Sequence, residues 1–149
     1  MRVTVRFRDG ESMEGFSEAA SLSRMGFPLV PDGGNNQLVW VSLAWVRYVV
    51  LHERAPAPHP AGDPRESESL PKVVIHFLDG EMLRTYRDDQ WGPDGDGFRA
   101  VVWDPQLKAL VRILISPLAI KGIFFVRNWD SRAEPMGARS AVLGVSPTL

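Results

Sequence analysis

Residues 5–16 of the chain read VRFRDGESMEGF, a stretch with the pattern of a β-hairpin. Apolar side chains at positions 3, 5 and 7 alternate with polar ones, which is the two-residue period of a half-buried strand. Asp9-Gly10 follows, and this dipeptide readily takes the positive φ values of a two-residue type I′ turn. The residues after Gly10 then predict a returning strand.

The same hairpin pattern occurs again at residues 75–86, which read IHFLDGEMLRTY. The correspondence extends beyond the hairpin, because Gly26-Phe27 matches Gly97-Phe98 and Val46-Arg47 matches Ile120-Lys121. Repetition on this scale predicts an internal duplication. A single unit of about 50 to 55 residues is near the lower limit for independent folding, so we expect the two units to share buried surface.

Each half contains five segments with the composition of short strands, separated by turn residues. These predict an all-β protein of two tandem five-stranded small β-barrels, SH3-like or Sm-like, packed against each other. The predicted strands lie at 2–8, 11–17, 27–30, 38–42 and 46–51, and at 72–78, 81–87, 98–103, 110–115 and 120–126.

The composition along the chain divides it into four parts. The first barrel repeat is expected at 1–52 and the second at 72–128. Residues 53–71 between them contain five of the twelve prolines, which predicts an extended, semi-rigid linker. Residues 129–149 lack periodicity and are expected to form a C-terminal tail.

The overall composition excludes several classes of protein. With 44% hydrophobic and 23% charged residues, the chain of 149 residues is expected to be globular and soluble. A net charge of −1 argues against nucleic acid as a partner, and charges interrupt the longest apolar run, so no membrane span is expected. The chain has no cysteine, which excludes thiol chemistry and fits a cytoplasmic location.

The repeated DGE turns, the Gly-Phe strands and the final strand IKGIFFV resemble a small bacterial β-domain of unknown function. That domain has a DGExLxG-type hairpin and occurs alone or beside PilZ and type IV pilus modules, and the strand order resembles Sm-like and SH3-like barrels. The resemblance implies a protein-binding adaptor in a bacterial motility or signalling assembly. The segments before the fifth strands, LAW and PLA, lack a basic residue that could contact RNA.

The chemistry-bearing residues do not form a catalytic pattern. The aspartates and glutamates at positions 9, 11, 79 and 81 are what the turns themselves require. His52, His59 and His76 lack the spacing of a zinc site, and His76 is expected on the polar face of its strand. We therefore expect no enzyme activity, no cofactor and no metal.

The segment DDQWGPDGDG at 88–97 is the predicted partner-binding loop. Trp91 is expected to anchor a protein partner, because a large aromatic in a polar loop is a common interface residue. The alternative is that Trp91 folds back and caps its own barrel. The acidic residues around it lack the alternation of a calcium loop and are assigned to the same binding surface: Asp88, Asp89, Asp94 and Asp96.

Three further alternatives stay open at this stage. Trp40, Trp45 and Tyr48 either form an aromatic cage for a cationic ligand or belong to the core. The barrel either binds a protein or binds a nucleotide or RNA. The apolar fourth strand of either unit is also suited to pairing across a homodimer.

Overall fold

The computed structural model describes residues 1–18, 22, 25–54 and 68–129. Over these residues the chain forms eleven β-strands and two 3₁₀ turns, Leu43–Trp45 and Pro117–Ala119. The strands are β1 (Arg2–Phe7), β2 (Ser12–Phe16), β3 (Gly26–Pro31), β4 (Val39–Ser42), β5 (Val46–Arg54), β6 (Lys72–Phe77), β7 (Met82–Tyr86), β8 (Gly92–Asp94), β9 (Gly97–Asp104), β10 (Ala109–Ile115) and β11 (Ile120–Val126).

The turn between β1 and β2 has three residues, so the predicted two-residue type I′ turn is wrong. The Phe7 N–H donates to the Glu11 carbonyl at 2.9 Å, and the Gly10 N–H donates to the Phe7 carbonyl at 3.1 Å. Gly10 has a φ of +94°, whereas Asp9 does not have a positive φ. The Asp9 side chain instead accepts a hydrogen bond from the Glu11 N–H at 2.9 Å, which makes the negative-φ conformation the stable one at this position.

All eleven strands belong to one antiparallel sheet, which confirms the predicted all-β class. The order is β11-β6-β7-β9-β10-β5-β1-β2-β3-β4, and β8 pairs with β9 beside this path. Within each half the order is the same, because the last strand lies next to the first: β5-β1-β2-β3-β4 and β11-β6-β7-β9-β10.

The two separate barrels are not confirmed, because the sheet continues from one half into the other. β5 pairs with β10 over five residue pairs, from Val111 opposite Arg54 to Ile115 opposite Tyr48. Every residue of β10 is buried, so hydrogen bonding to β5 satisfies backbone groups that water does not reach. The path ends at β4 on one side and at β11 on the other.

The expected sharing of buried surface between the halves is confirmed. Leu114 of β10 packs in the core cluster of the first half, with Val49 and Leu51. In the opposite direction, Tyr48 and Val50 of β5 pack against the core of the second half. β5 and β10 therefore each contribute side chains to both cores, one from each face of the strand.

Three other features differ from the sequence predictions or lie outside the described residues. β8 was missed, because its sequence Gly-Pro-Asp has no apolar alternation. His76 is 2% exposed, so its expected place on a polar face is wrong. Most of the predicted linker and nearly all of the predicted tail lie outside the described residues. The described part of the chain contains no helix with the length and apolarity of a membrane span.

Candidate functional site

An open cavity of about 850 Å³ crosses the sheet at the place where its two halves meet. We call it the sheet groove. Seven strands that are consecutive in the sheet contribute side chains to it, from β6 at one end to β2 at the other. The groove therefore depends on the continuity of the sheet through β10 and β5.

The middle of the sheet groove is apolar. Tyr48 and Val50 come from β5, Val111 comes from β10, and Val102 comes from β9. All but Val111 are partly buried and pack against the core of the second half, and Val111 is itself buried. These side chains give the groove a fixed apolar surface that a ligand side chain could cover.

Polar groups surround this apolar middle. Arg6 and Glu14 line the groove on the first half, and Arg84 and Asp104 line it on the second. His52 also lines the groove, and its Nε2 atom is hydrogen-bonded to the Thr4 hydroxyl at 2.7 Å. The lining thus offers two guanidinium groups, two carboxylates and an imidazole that is held in place.

Trp129 lines the sheet groove beside β6 and β7. Its ring lies edge-on to Tyr86, with ring centroids 5.3 Å apart. The Lys72 amino group and the Arg84 guanidinium lie 5.9 and 5.5 Å from the ring centroid of Trp129. Cation–π contacts of this kind favour one orientation of the ring and of the Arg84 side chain.

The structure places the predicted acidic residues in two different roles. Asp88 turns inward and pairs with Arg112 at 3.4 Å, with both side chains less than a tenth exposed. Its other oxygen accepts a hydrogen bond from the Gln90 N–H at 3.1 Å, so Asp88 anchors the loop. Asp94 pairs with Arg99 at 2.5 Å, whereas Asp89 and Asp96 are exposed.

Trp91 lies half-buried against its own half of the sheet. Its ring centroid is 4.8 Å from that of Phe98 and 5.6 Å from that of Phe125, both edge-to-face. The Arg87 guanidinium lies over the ring at 5.7 Å. This is the capping arrangement, and a role of Trp91 in partner binding stays a prediction.

The three aromatic residues considered for a cage have different surroundings. Trp40 is exposed on β4, at the edge of the sheet. Trp45 is exposed and lines a second cavity of about 490 Å³, between the hairpin turns of the two halves. Tyr48 is partly buried in the sheet groove and stacks on Phe77, with centroids 6.2 Å apart. An aromatic cage would require these rings to converge, and they do not.

The described residues also contain no group of three or more His, Asp or Glu side chains that could hold a metal ion. His52 is bonded to Thr4, and His76 lies against the ring of Phe124 at 4.6 Å. His59 lies outside the described residues.

The most informative contact that sequence reasoning missed joins the two halves. Arg47 of β5 pairs with Asp79, in the hairpin turn of the second half, and the Arg47 guanidinium lies 5.5 Å from the Phe77 ring centroid. The sequence predicts only a role in the turn for Asp79. The structure shows that role too, because Asp79 accepts a hydrogen bond from the Glu81 N–H at 2.9 Å. The sheet groove was missed too, because its residues come from seven strands and have no common spacing.

No protein-family model, curated protein or solved structure matches the chain. The geometry of the sheet groove and of the sheet edges is therefore the basis for a function.

Proposed function

We propose that the chain is a non-enzymatic protein-interaction module that binds an extended segment of a partner protein in the sheet groove. The single observation that carries the proposal is the form of the groove, which is open, apolar in the middle and polar toward both ends. An extended segment places alternate side chains on opposite faces, so it can direct apolar groups into the middle of the groove while the alternate side chains face solvent.

The residues of the groove favour a segment with at least one carboxylate and at least one large apolar side chain. Arg6 and Arg84 offer guanidinium groups for a carboxylate. Tyr48, Val50 and Val102 offer an apolar surface for the other side chain. Glu14 and Asp104 line the same groove and would repel phosphates, so a nucleic acid is the less favoured ligand.

The proposal includes an architecture of two duplicated units, each related to the SH3-like or Sm-like barrel. The identical strand order in the two halves supports it, together with the repeated hairpin sequence. The resemblance to the bacterial β-domain supports a place as an adaptor in a cytoplasmic motility or signalling assembly.

The proposal is tested by selecting peptides on the immobilised chain from a random library of twelve-residue sequences. The enriched peptides are then measured against two variants by fluorescence anisotropy. Arg84→Glu reverses a charge in the groove. Arg87→Glu is its matched control, because Arg87 is also exposed but lies over Trp91 and does not line the groove. We expect the selected peptides to carry carboxylates and to lose roughly 10-fold or more in affinity for Arg84→Glu, with no change for Arg87→Glu.

Three outcomes would overturn the proposal. One is a selection without enrichment, and another is equal binding of the peptides to both variants. The third is binding of a labelled single-stranded oligouridine that Arg84→Glu abolishes, which would assign the groove to nucleic acid instead. Thermal melts of both variants confirm that the fold is intact in each comparison.

A further inference from the structure

We infer that the chain associates with further copies of itself by pairing β4 of one copy with β11 of the next. The junction between β5 and β10 within one chain is the pattern for this contact. When β8 is not counted, β10 is the fourth strand of the second half, and β5 is the fifth strand of the first half. The strands at the two ends of the sheet are β4, the fourth strand of the first half, and β11, the fifth strand of the second half. Within the described residues neither of these two strands has a strand on its outer side, so the free edges are of the same two kinds that pair inside the chain.

The exposed side chains on the two edges match buried side chains at the internal junction. Counting from the shared Ser42 and Ser116, Trp40 on β4 corresponds to Leu114 on β10. Leu114 is 1% exposed, but Trp40 is 60% exposed. The same holds on the other side, where Leu51 on β5 is 2% exposed and its counterpart on β11, Phe125, is 61% exposed.

The internal junction also specifies the register between copies. In it, Leu114 lies opposite Val49 and Arg112 lies opposite Leu51. Transferred to the free edges, this register places Trp40 of one copy opposite Ile123 of the next. Leu38, which precedes β4 and is 66% exposed, would lie opposite Phe125. Two large exposed apolar side chains on the β4 side thus meet apolar partners on β11.

The charges at the junction are repeated as well. Arg47 pairs with Asp79 inside the chain, and the corresponding positions at the free edges are Lys121 and Asp9. Both Lys121 and Asp9 are exposed, and their charges are opposite. Pairing β11 with β4 of a second copy would bring them together as Arg47 and Asp79 are brought together.

The connection between the second and third strands of the first half also contacts the second half, and the corresponding connection of the second half contains Trp91. Leu22 of the first half is buried, and its side chain is 3.4 Å from the position that a Cβ atom on Gly97 would occupy. In the second half the same connection carries Trp91, whose ring lies beside Phe125 on the free edge. A second copy would therefore approach Trp91 with the start of its own third strand, where Met25 is 73% exposed.

A contact between two different edges is heterologous, so every copy keeps one free edge of each kind and association continues beyond a pair. An isologous pairing of β4 with β4 would instead stop at a dimer. This difference allows a test with two variants. Trp40→Glu places a charge on the β4 edge, and Phe125→Glu places one on the β11 edge. Leu107→Glu is the control, because Leu107 lies in the turn between β9 and β10 and is about as exposed as Trp40 and Phe125.

The experiment is sedimentation equilibrium of the full chain, of each variant and of a mixture. We expect the parent chain and Leu107→Glu to exceed the 16.6 kDa mass of one chain as concentration rises. Trp40→Glu and Phe125→Glu alone should each weaken association roughly 30-fold or more, because each places a charge in the contact. An equimolar mixture of the two should form one-to-one pairs, since each supplies the edge that the other lacks.

Three results would overturn the inference. The parent chain could stay at the mass of one chain at every concentration. A single variant could still form dimers at the parent affinity, which would show an isologous contact. The mixture could also fail to pair while both variants melt at the temperature of the parent chain, which would show that β4 and β11 are not partners.

Discussion

The fifth strand of each half has the same sequence pattern, but the structure surrounds the two strands differently. β5 lies between β1 and β10, whereas β11 pairs with β6 and has no second neighbouring strand in the part of the chain that the structure describes. As a result Leu51 is 2% exposed and its counterpart Phe125 is 61% exposed. Both strands thus carry a run of consecutive apolar residues, VVL in β5 and IFF in β11, and the neighbouring strand decides which of them are buried.

The comparison extends to the fourth strands. β10 has seven buried residues and contains Arg112, whose charge is paired with Asp88. β4 has four residues at the edge of the sheet, and the position that corresponds to Arg112 holds the exposed Leu38. The charged Arg112 is therefore buried and the apolar Leu38 is exposed, which is the reverse of the usual preference. The reversal is explained if the first half's edge is covered by another chain, as we infer.

The largest expected effect comes from shortening the buried member of the pair Leu51 and Phe125. Leu51→Ala should lower the free energy of unfolding by about 3 kcal/mol, because it removes packing from a core cluster and leaves a cavity. Phe125→Ala should change it by less than about 1 kcal/mol when measured at a concentration where the chain is monomeric. Urea denaturation of both variants checks the comparison, and equal losses would mean that the two fifth strands are buried alike.

A smaller loss is expected from removing the partner of the buried arginine. Asp88→Ala should cost about 2 kcal/mol, because it leaves the Arg112 guanidinium without this carboxylate in a site less than a tenth exposed. The matched control is Asp94→Ala, which breaks the more exposed pair with Arg99 and should cost less than about 1 kcal/mol. Denaturation midpoints give both values. If Asp94→Ala lowered the stability more than Asp88→Ala, the loop at residues 88–97 would be anchored at β8 rather than at Arg112.

Local sequence patterns predicted the strands well, because alternation and turn residues act over a few positions. β11 has the predicted bounds, and β1 and β6 each end one residue earlier than predicted. The turn type was wrong for a local reason as well, since the Asp9 side chain stabilises a three-residue turn by bonding the Glu11 N–H. Short polar β8 had no such signal.

Contacts between distant segments could not be predicted in this way. The pairing of β5 with β10 joins residues about sixty positions apart, and no periodicity marks it. The pairing of Arg47 with Asp79 follows from that long-range arrangement. The burial of His76 has another long-range cause, because its ring lies against Phe124 of β11. The sheet groove belongs to the same class, since it exists only where the two halves meet.

The hairpin turns of the two halves each contain a glycine with a positive φ, and we expect substitution of either glycine to have the same effect on stability. Gly10 and Gly80 have φ values of +94° and +91°, and a Cβ atom at either position would have no atom within 4 Å. Valine there should cost about 1 to 2 kcal/mol through the backbone conformation alone, equally in both halves. Gly10→Asn is the control, because asparagine tolerates positive φ and should cost less. Thermal denaturation distinguishes them, and an unchanged stability of either valine variant would contradict the turn assignment.

The smallest expected effect concerns the first residue of the first strand in each half, Arg2 and Lys72. Arg2 donates two hydrogen bonds to the Asp32 carboxylate, at 2.7 and 3.2 Å, and the side-chain hydrogen bond from Arg2 lowers the pKa of Asp32 below its ordinary value of 3.8. Because the pKa is lower in the folded chain than in the unfolded one, the pair stabilises the fold above about pH 4, and this contribution disappears as the pH falls through the folded pKa. Lys72 makes no such contact with a carboxylate of the described residues, and its amino group lies over the Trp129 ring instead. Asp32→Asn should therefore lower the melting temperature slightly at pH 6, and its difference from the parent chain should shrink as the pH is lowered to 2. Lys72→Gln should produce a difference that is the same at both pH values. Melting curves of the three proteins at the two pH values test this, and a pH-independent effect of Asp32→Asn would show that its contact with Arg2 does not depend on the charge of the carboxylate.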